Sequence, residues 1–236
     1  MPRGRETKRP RPGLTRDLIL GTAMGLADEG GVDSLSMRKI ADQLAVKAMS
    51  LYNHVGGKDE ILDGLIELVI AKISIPDEHM PWRPAMRARA CSLHDVLLQH
   101  PWSAALIESR TSLGPTRLRL NDAVLGSLLR GGFSIEAAYH AFLLLDSYIY
   151  GFVLQEVSWP YEPEDRPAQL ERIEPQISPD AYPNLVAMMR HLAQRPAPKD
   201  RATAYLGEFE FGLDLILDGL EARRDGASSP AAPRDG

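Results

Sequence analysis

One cysteine, Cys91, is all the 236-residue chain has. That excludes an internal disulfide, and no Cys/His spacing suits zinc, so neither a metal nor another cofactor is expected. The longest strongly apolar run, around Ala141 to Leu145, is far too short to cross a bilayer. The basic N-terminus has no apolar follow-on that would make it a signal peptide. No membrane partner is expected, and the cytosol is the expected location. Alternation of the β type and internal repeats are also missing, which leaves an all-α fold. A catalytic reading finds little to work with. Cys91 has only His94 nearby in sequence, with no oxyanion loop or phosphate cradle, so the chain is not read as an enzyme.

The charge that is present is unevenly placed. The chain carries a net −5, yet Met1 to Lys58 holds ten Lys and Arg against six Asp and Glu, a local +4. The other 17 basic and 26 acidic residues leave −9 for the remainder. A basic head on an acidic body suits a chain that offers one end to a polyanion. Residues 1–13 hold Arg3, Arg5, Lys8, Arg9 and Arg11 among prolines. They read as a flexible basic arm, either a solubilising tail or an arm that follows phosphates or enters a minor groove.

Helical punctuation divides the rest. Thr15 caps a first helix ending at Gly30-Gly31, and Ser36 caps a second. A tight bend at Ala45-Val46 leads into a third helix, expected from Lys47 to His54. A glycine break then precedes a fourth, from Lys58, whose apolar arc is wide enough to bridge head and body. Two short helices joined by a tight bend outline a helix-turn-helix, whose second helix reads the DNA major groove. Ile75 to Arg83 reads as a linker. Helices follow from Pro84 to before Pro101, Pro115 to Arg130, Ser134 to Val157, Asn184 to Ala193 and Asp200 to Arg223, with a short piece at Trp102 to Ser109. Ser158 to Pro183 reads as a long loop and 224–236 as a disordered tail. The domains expected are a DNA-binding head at 14–73 and a helical body at 84–223.

Leu35-Ser-Met-Arg-Lys-Ile-Ala, the Leu44-Ala-Val turn and Leu51-Tyr-Asn-His-Val-Gly-Gly-Lys-Asp-Glu-Ile-Leu62 carry a resemblance. Together they resemble the DNA-binding domain of the tetracycline-repressor (TetR) family of bacterial transcription regulators. One departure is Ala45, where the family commonly has glycine, and it implies a mildly strained bend. Phosphate contacts are expected from Ser36, Arg38, Tyr52, His54 and Lys58, which fix register on the DNA. Base reading is expected from Lys47, Ala48, Met49, Ser50 and Asn53. A reader this short needs two half-sites, so the partners expected are a double-stranded DNA operator and a second copy of the chain.

The body resembles, less closely, the family's C-terminal domain, which implies a homodimer built from the last and the Ser134 to Val157 helices. Phe209, Leu213, Ile216, Leu217 and Leu220 are the interface candidates. The resemblance also implies a pocket for an unidentified small-molecule effector. Trp102, Phe142, Tyr148, Ile149 and Phe152 are candidate walls; Asn121, Asp146, Gln155 and Glu156 are candidate polar contacts. Each could equally be plain core. The function expected is a homodimeric repressor, bound to a palindromic operator and released by an effector. The alternative is a DNA-bound regulator or architectural protein with no small ligand. A solid body core would favour that alternative.

Overall fold

The computed structural model describes residues 13–110, 114–158, 165–195 and 205–227, and among them every regular element is helical. The expected basic arm, apart from Gly13, lies outside these residues, as does the tail beyond residue 227.

The head is three helices, α1 (Arg16–Gly30), α2 (Met37–Leu44) and α3 (Ala48–Leu51). Thr15 caps α1 by accepting the Leu18 N–H at 3.2 Å, and Gly31, at φ 72°, closes it in a conformation costly for other residues. Ser36 caps α2, accepting the Lys39 N–H at 3.2 Å. Ile19, Ala23, Ile40, Ala41 and Leu51 bury their side chains in one small core. The third helix is shorter than expected, because Tyr52, Asn53 and His54 form a turn instead of a further helical turn.

The next helix, α4 (Lys58–Ile70), is divided between two cores. Ile61, Leu62 and Leu65 complete the head core, while Ile66, Val69 and Ile70 belong to that of the body. Its wide apolar arc therefore does what the sequence suggested and bridges the two.

The body packs α5 (Trp82–Gln99), α6 (Ser103–Ser109), α7 (Pro115–Arg130), α8 (Ile135–Ser158), α9 (Arg166–Ile173), α10 (Pro183–Ala193) and α11 (Leu206–Ala227). Two expectations change here. The segment expected as a long loop contains α9 and a 3-10 turn at Glu174–Gln176. Proline in the first turn of a helix removes no hydrogen bond, so Pro167 starts α9 instead of breaking it. The last helix also runs on through 224–227, where a tail was expected.

Helix α8 packs against α5, α7 and α11. Ala138, Ala141, Leu145, Ile149 and Val153 are its buried stripe. Its 24 residues are long and apolar enough to cross a membrane by length and composition. Yet Asp146 and Glu156 are ion-paired on its inner face, with Arg89 and His94 of α5, as suits a helix packed on its own chain along one face. Phe209, Leu213 and Leu217 on α11 are fully buried inside the same chain, Leu220 nearly so, and Ile216 packs partly against that core. These candidates for a subunit interface are thus the chain's own core. The large apolar residues left outside on α11, among those described, are Phe211 and Leu215, one turn apart. Gly212 lets Tyr148 of α8 lie against α11, since an added Cβ there would meet Tyr148 Cζ at 2.8 Å.

Candidate functional site: recognition head and ligand cavity

The bend between α2 and α3 turns on Ala45, at φ 55° and ψ 43°, the one positive-φ residue other than glycine among those described. Its N–H is held by the Asp42 carbonyl at 3.1 Å, and the Val46 N–H by that of Ala41 at 3.0 Å. These bonds fix where α3 starts. Lys47 precedes α3 without a side-chain cap, so first-turn N–H groups remain unclaimed by a capping side chain.

Met49 projects with 74% of its surface exposed, and Lys47 and Asn53 are exposed beside it; Ala48 and Ser50 are half-buried. Tyr52, His54 and Lys58 are exposed on the following turn and at the start of α4. Ser36 spends an oxygen lone pair on its cap, leaving the O–H as a donor. Arg38 lies 3.9 Å from Asp42, a loose and exposed pair. The α4 entry is tied down: Glu60 accepts the Gly56 N–H at 2.7 Å and meets the Arg16 guanidinium at 3.3 Å. The Gly56 bond first, and Arg16 second, hold the Glu60 carboxyl below its ordinary value of 4.5.

Polar ties join this head to the body. The Asp28 carboxylate on α1 accepts from His100 Nδ1 and Trp102 Nε1, both at 2.7 Å. Lys72 Nζ lies 2.7 Å from His100 Nε2. An ammonium only donates, so Nε2 is the acceptor and Nδ1 carries the hydrogen donated to Asp28. Arg110 grips Asp59 at 2.6 Å and Asp63 at 2.7 Å on α4, and Glu67 accepts the Thr116 N–H at 3.0 Å. Strong pairing with these carboxylates, Asp59 first, pushes the Arg110 pKa up.

A cavity of about 610 Å³ lies within the body. Helix α8 contributes Phe152, Gln155 and Glu156; α9 contributes Gln169, Leu170 and Ile173. Across from them stand Leu185, Met188, Met189 and Leu192 of α10, with Ile177, Tyr205 and Glu208 completing the wall. At its polar end Glu156 is buried, with Oε2 3.0 Å from Nε2 of the fully buried His94. The His94 ring stacks on Phe209 at 4.2 Å between centroids. Arg195 pairs with Glu208 at the margin.

Three of the nine pocket candidates, Phe152, Gln155 and Glu156, border this cavity; the other six do not. Trp102 is drawn to the head by its bond to Asp28. Asn121 sits half-buried on α7. Phe142 and Asp146 flank the buried Arg89, Asp146 at 2.6 Å and the Phe142 ring at 6.0 Å. Tyr148 donates its hydroxyl to the Phe209 carbonyl at 2.8 Å, and burial pushes its pKa up. Ile149 is fully buried core. The α9 wall was missed because its segment reads as loop, and the α10 helix, expected from Asn184 to Ala193, was not recognised as a wall. Leu185, Met188, Met189 and Leu192 do keep helical spacing, which was the available signal. Burial raises the Cys91 thiol above its ordinary value, against the reactivity of a nucleophile.

A bent helix pair with an exposed second helix, tied by a shared helix to a hollow helical body, defines a helix-turn-helix transcription regulator. Comparison with known proteins makes the assignment specific. Residues 19–65 match the model of bacterial regulatory proteins of the tetR family, and 75–224 match the tetracyclin repressor-like C-terminal domain. An HTH-type transcriptional regulator of Saccharopolyspora erythraea is 38% identical over 163 residues, 69% of each chain. The HTH-type transcriptional repressor DrrR1 of Streptomyces coeruleorubidus is 30% identical, over 96% of this chain and 85% of that one. Among solved structures, apo ActR of Streptomyces coelicolor superposes with a TM-score of 0.73 at 29% identity, over 93% of this chain and 100% of that one. A second ActR structure, in complex with actinorhodin, gives 0.69 at 30% identity, covering 92% and 99%. The chain belongs to the tetracycline-repressor family. It is a DNA-binding transcription regulator and not an enzyme.

Proposed function

We propose that this regulator is a homodimeric repressor that leaves a palindromic operator when a small molecule fills the cavity. The observation that carries the reading is the 610 Å³ space bordered by Glu156, whose partner His94 lies on the helix that ends at the head. His94 and His100 are six residues apart on α5 and at its C-terminal cap, about 9 Å along the axis. A ligand that repositions Glu156 therefore acts on the helix whose end holds Asp28 of α1. ActR, a relative of similar fold, has been solved with actinorhodin bound, which supports a ligand-binding body.

Two heads, one on each subunit, engage half-sites about 34–36 Å apart or a multiple of that, so a small change in their separation prevents joint docking. Release requires that the ligand favour the non-docking arrangement. Within each head, Ser36, Arg38, Tyr52, His54 and Lys58 hold phosphates, while Lys47, Ala48, Met49, Ser50 and Asn53 face the bases. The exposed Phe211 and Leu215, with the outer apolar residues of α8, form the subunit contact.

The test begins with selection of bound sites from random DNA, which should return a palindrome. Lys58→Ala should weaken binding to all sequences and reduce the salt slope by about one, while Lys47→Ala should relax preference at one base position. Compounds that stabilise the protein thermally should lower its affinity for the selected site. Both effects should weaken in Leu185→Trp, which narrows the cavity. A cavity ligand that leaves operator affinity unchanged would refute the release mechanism.

A further inference from the structure

The charged lining of the cavity is one-sided, although Gln155, Gln169 and Tyr205 add neutral polar groups. No Lys or Arg lines it among the described residues, and its two acids differ in what they have left to offer. Glu208 is engaged by Arg195. Glu156 is only half engaged: Oε2 takes the His94 hydrogen bond, whereas Oε1 is buried with no hydrogen-bond partner. The residue is 4% exposed, so bulk water does not serve that oxygen. The carboxylate is also fixed before any ligand arrives. His94 donates to it at 3.0 Å, and the imidazole is itself held by its stack on Phe209 and by Phe152 at 6.0 Å.

We infer that the effector is an apolar, drug-sized molecule carrying a hydroxyl or an amine, and that this group donates a hydrogen bond to Glu156 Oε1. The inference rests on the cavity being the effector site. An ionised carboxyl oxygen accepts and cannot donate, so it selects for a donor. An ether or ketone placed there leaves two acceptors facing one another. A carboxylate or phosphate ligand meets like charge with no lining cation among the described residues to offset it. The remaining walls, Leu170, Ile173, Leu185, Met188 and Leu192 among them, select for apolar bulk, and their methionines adapt to its shape.

Three fluorescent probes of one shape test this on the full-length protein: anthracenemethanol, its methyl ether, and anthracenecarboxylate. Binding is followed by probe emission. The alcohol should bind at least about tenfold more tightly than the ether, the size expected of a hydrogen bond to a charged acceptor, and the carboxylate should bind least. Glu156→Gln keeps the His94 bond through its amide oxygen and turns an N–H toward the cavity. There the alcohol's advantage should vanish and the carboxylate should gain. Leu185→Trp should weaken binding of all three by narrowing the cavity, and Leu185 is 41% exposed, so the change leaves the helical core intact. Equal affinity of the wild-type protein for alcohol and ether overturns the donor inference and leaves the cavity reading standing. If no probe binds, or if Leu185→Trp changes nothing, the cavity reading falls and the inference with it. The wild-type comparison decides the matter even if Glu156→Gln does not fold.

Discussion

Replacing Ala45 by glycine should stabilise the head. Ala45 sits at φ 55° and ψ 43°, in the left-handed region, where the Cβ crowds the backbone. For an L-residue that conformation costs about 1–2 kcal/mol. Glycine removes the crowding but loses more freedom on folding, which returns about 0.5–1 kcal/mol. The net expected gain is therefore about 0.5–1 kcal/mol. Because the head has its own core, a whole-chain melting curve is a blunt probe of it. Native-state hydrogen exchange resolves it better. Amides of Ile40 and Ala41 should exchange about 2- to 5-fold more slowly in Ala45→Gly, while those around Leu213 in the body stay unchanged. Ala45→Val should move the other way, since a branched side chain fits left-handed backbone worse than alanine. Unchanged or faster exchange in Ala45→Gly would refute the claim that this bend is strained.

Two further predictions concern the α4 entry and the subunit contact. Glu60 has a folded-state pKa held below 4.5 by the Gly56 N–H and Arg16, so its stabilisation is fully present above 4.5 and is lost as pH falls through the folded value. Glu60→Gln should therefore be less stable than wild type at neutral pH, with the gap in urea midpoint closing below pH 4.5; a gap independent of pH would exclude the linkage. Phe211→Glu combined with Leu215→Glu should weaken dimerisation by at least about a hundredfold, since each buried side chain of this kind is worth about 1.5–3 kcal/mol, whereas a monomer would tolerate both changes at its surface. Sedimentation velocity reads the outcome, and an undisturbed dimer would move the interface elsewhere.

The parts of the fold that were legible in the sequence are those with chemical punctuation. Helix α7 begins at Pro115 and stops at Gly131-Gly132, and both ends stand where the residues put them. Thr15 and Ser36 cap α1 and α2 by their side chains, as their positions imply. Helix α3 has no such marks and only four residues, too few for a periodic signal, and so it was read too long. Helix α9 was hidden by Pro167 within it and Pro175 just after it. The body's faces were harder still. Periodicity on α11 finds Phe209, Leu213 and Leu217, but a stripe facing its own chain and a stripe facing a second copy follow the same spacing. Only packing separates them. The pocket followed the same logic: Tyr148 had the chemistry of a lining residue, but its hydroxyl is taken by the Phe209 carbonyl.

Magnitudes decide whether the α5 route can carry the proposed release. Lowering operator affinity a hundredfold needs about 2.7 kcal/mol of preference for the undocked state. The α1–body junction offers His100 and Trp102 donating to one oxygen of Asp28, and Lys72 behind His100. Stranding the buried His100 costs about 1–3 kcal/mol, while the exposed Asp28 and Lys72 are re-solvated by water. Loss of the His100 bonds is thus of the required size. The Arg110 and Glu67 ties on α4 need not break, which leaves the bridge intact while α1 shifts. His100→Gln separates this route from one that runs through α4 alone. If α5 carries the signal, the variant should bind operator but respond to a cavity ligand with less than a tenth of the wild-type change in affinity. If α4 alone carries it, the response should survive in full.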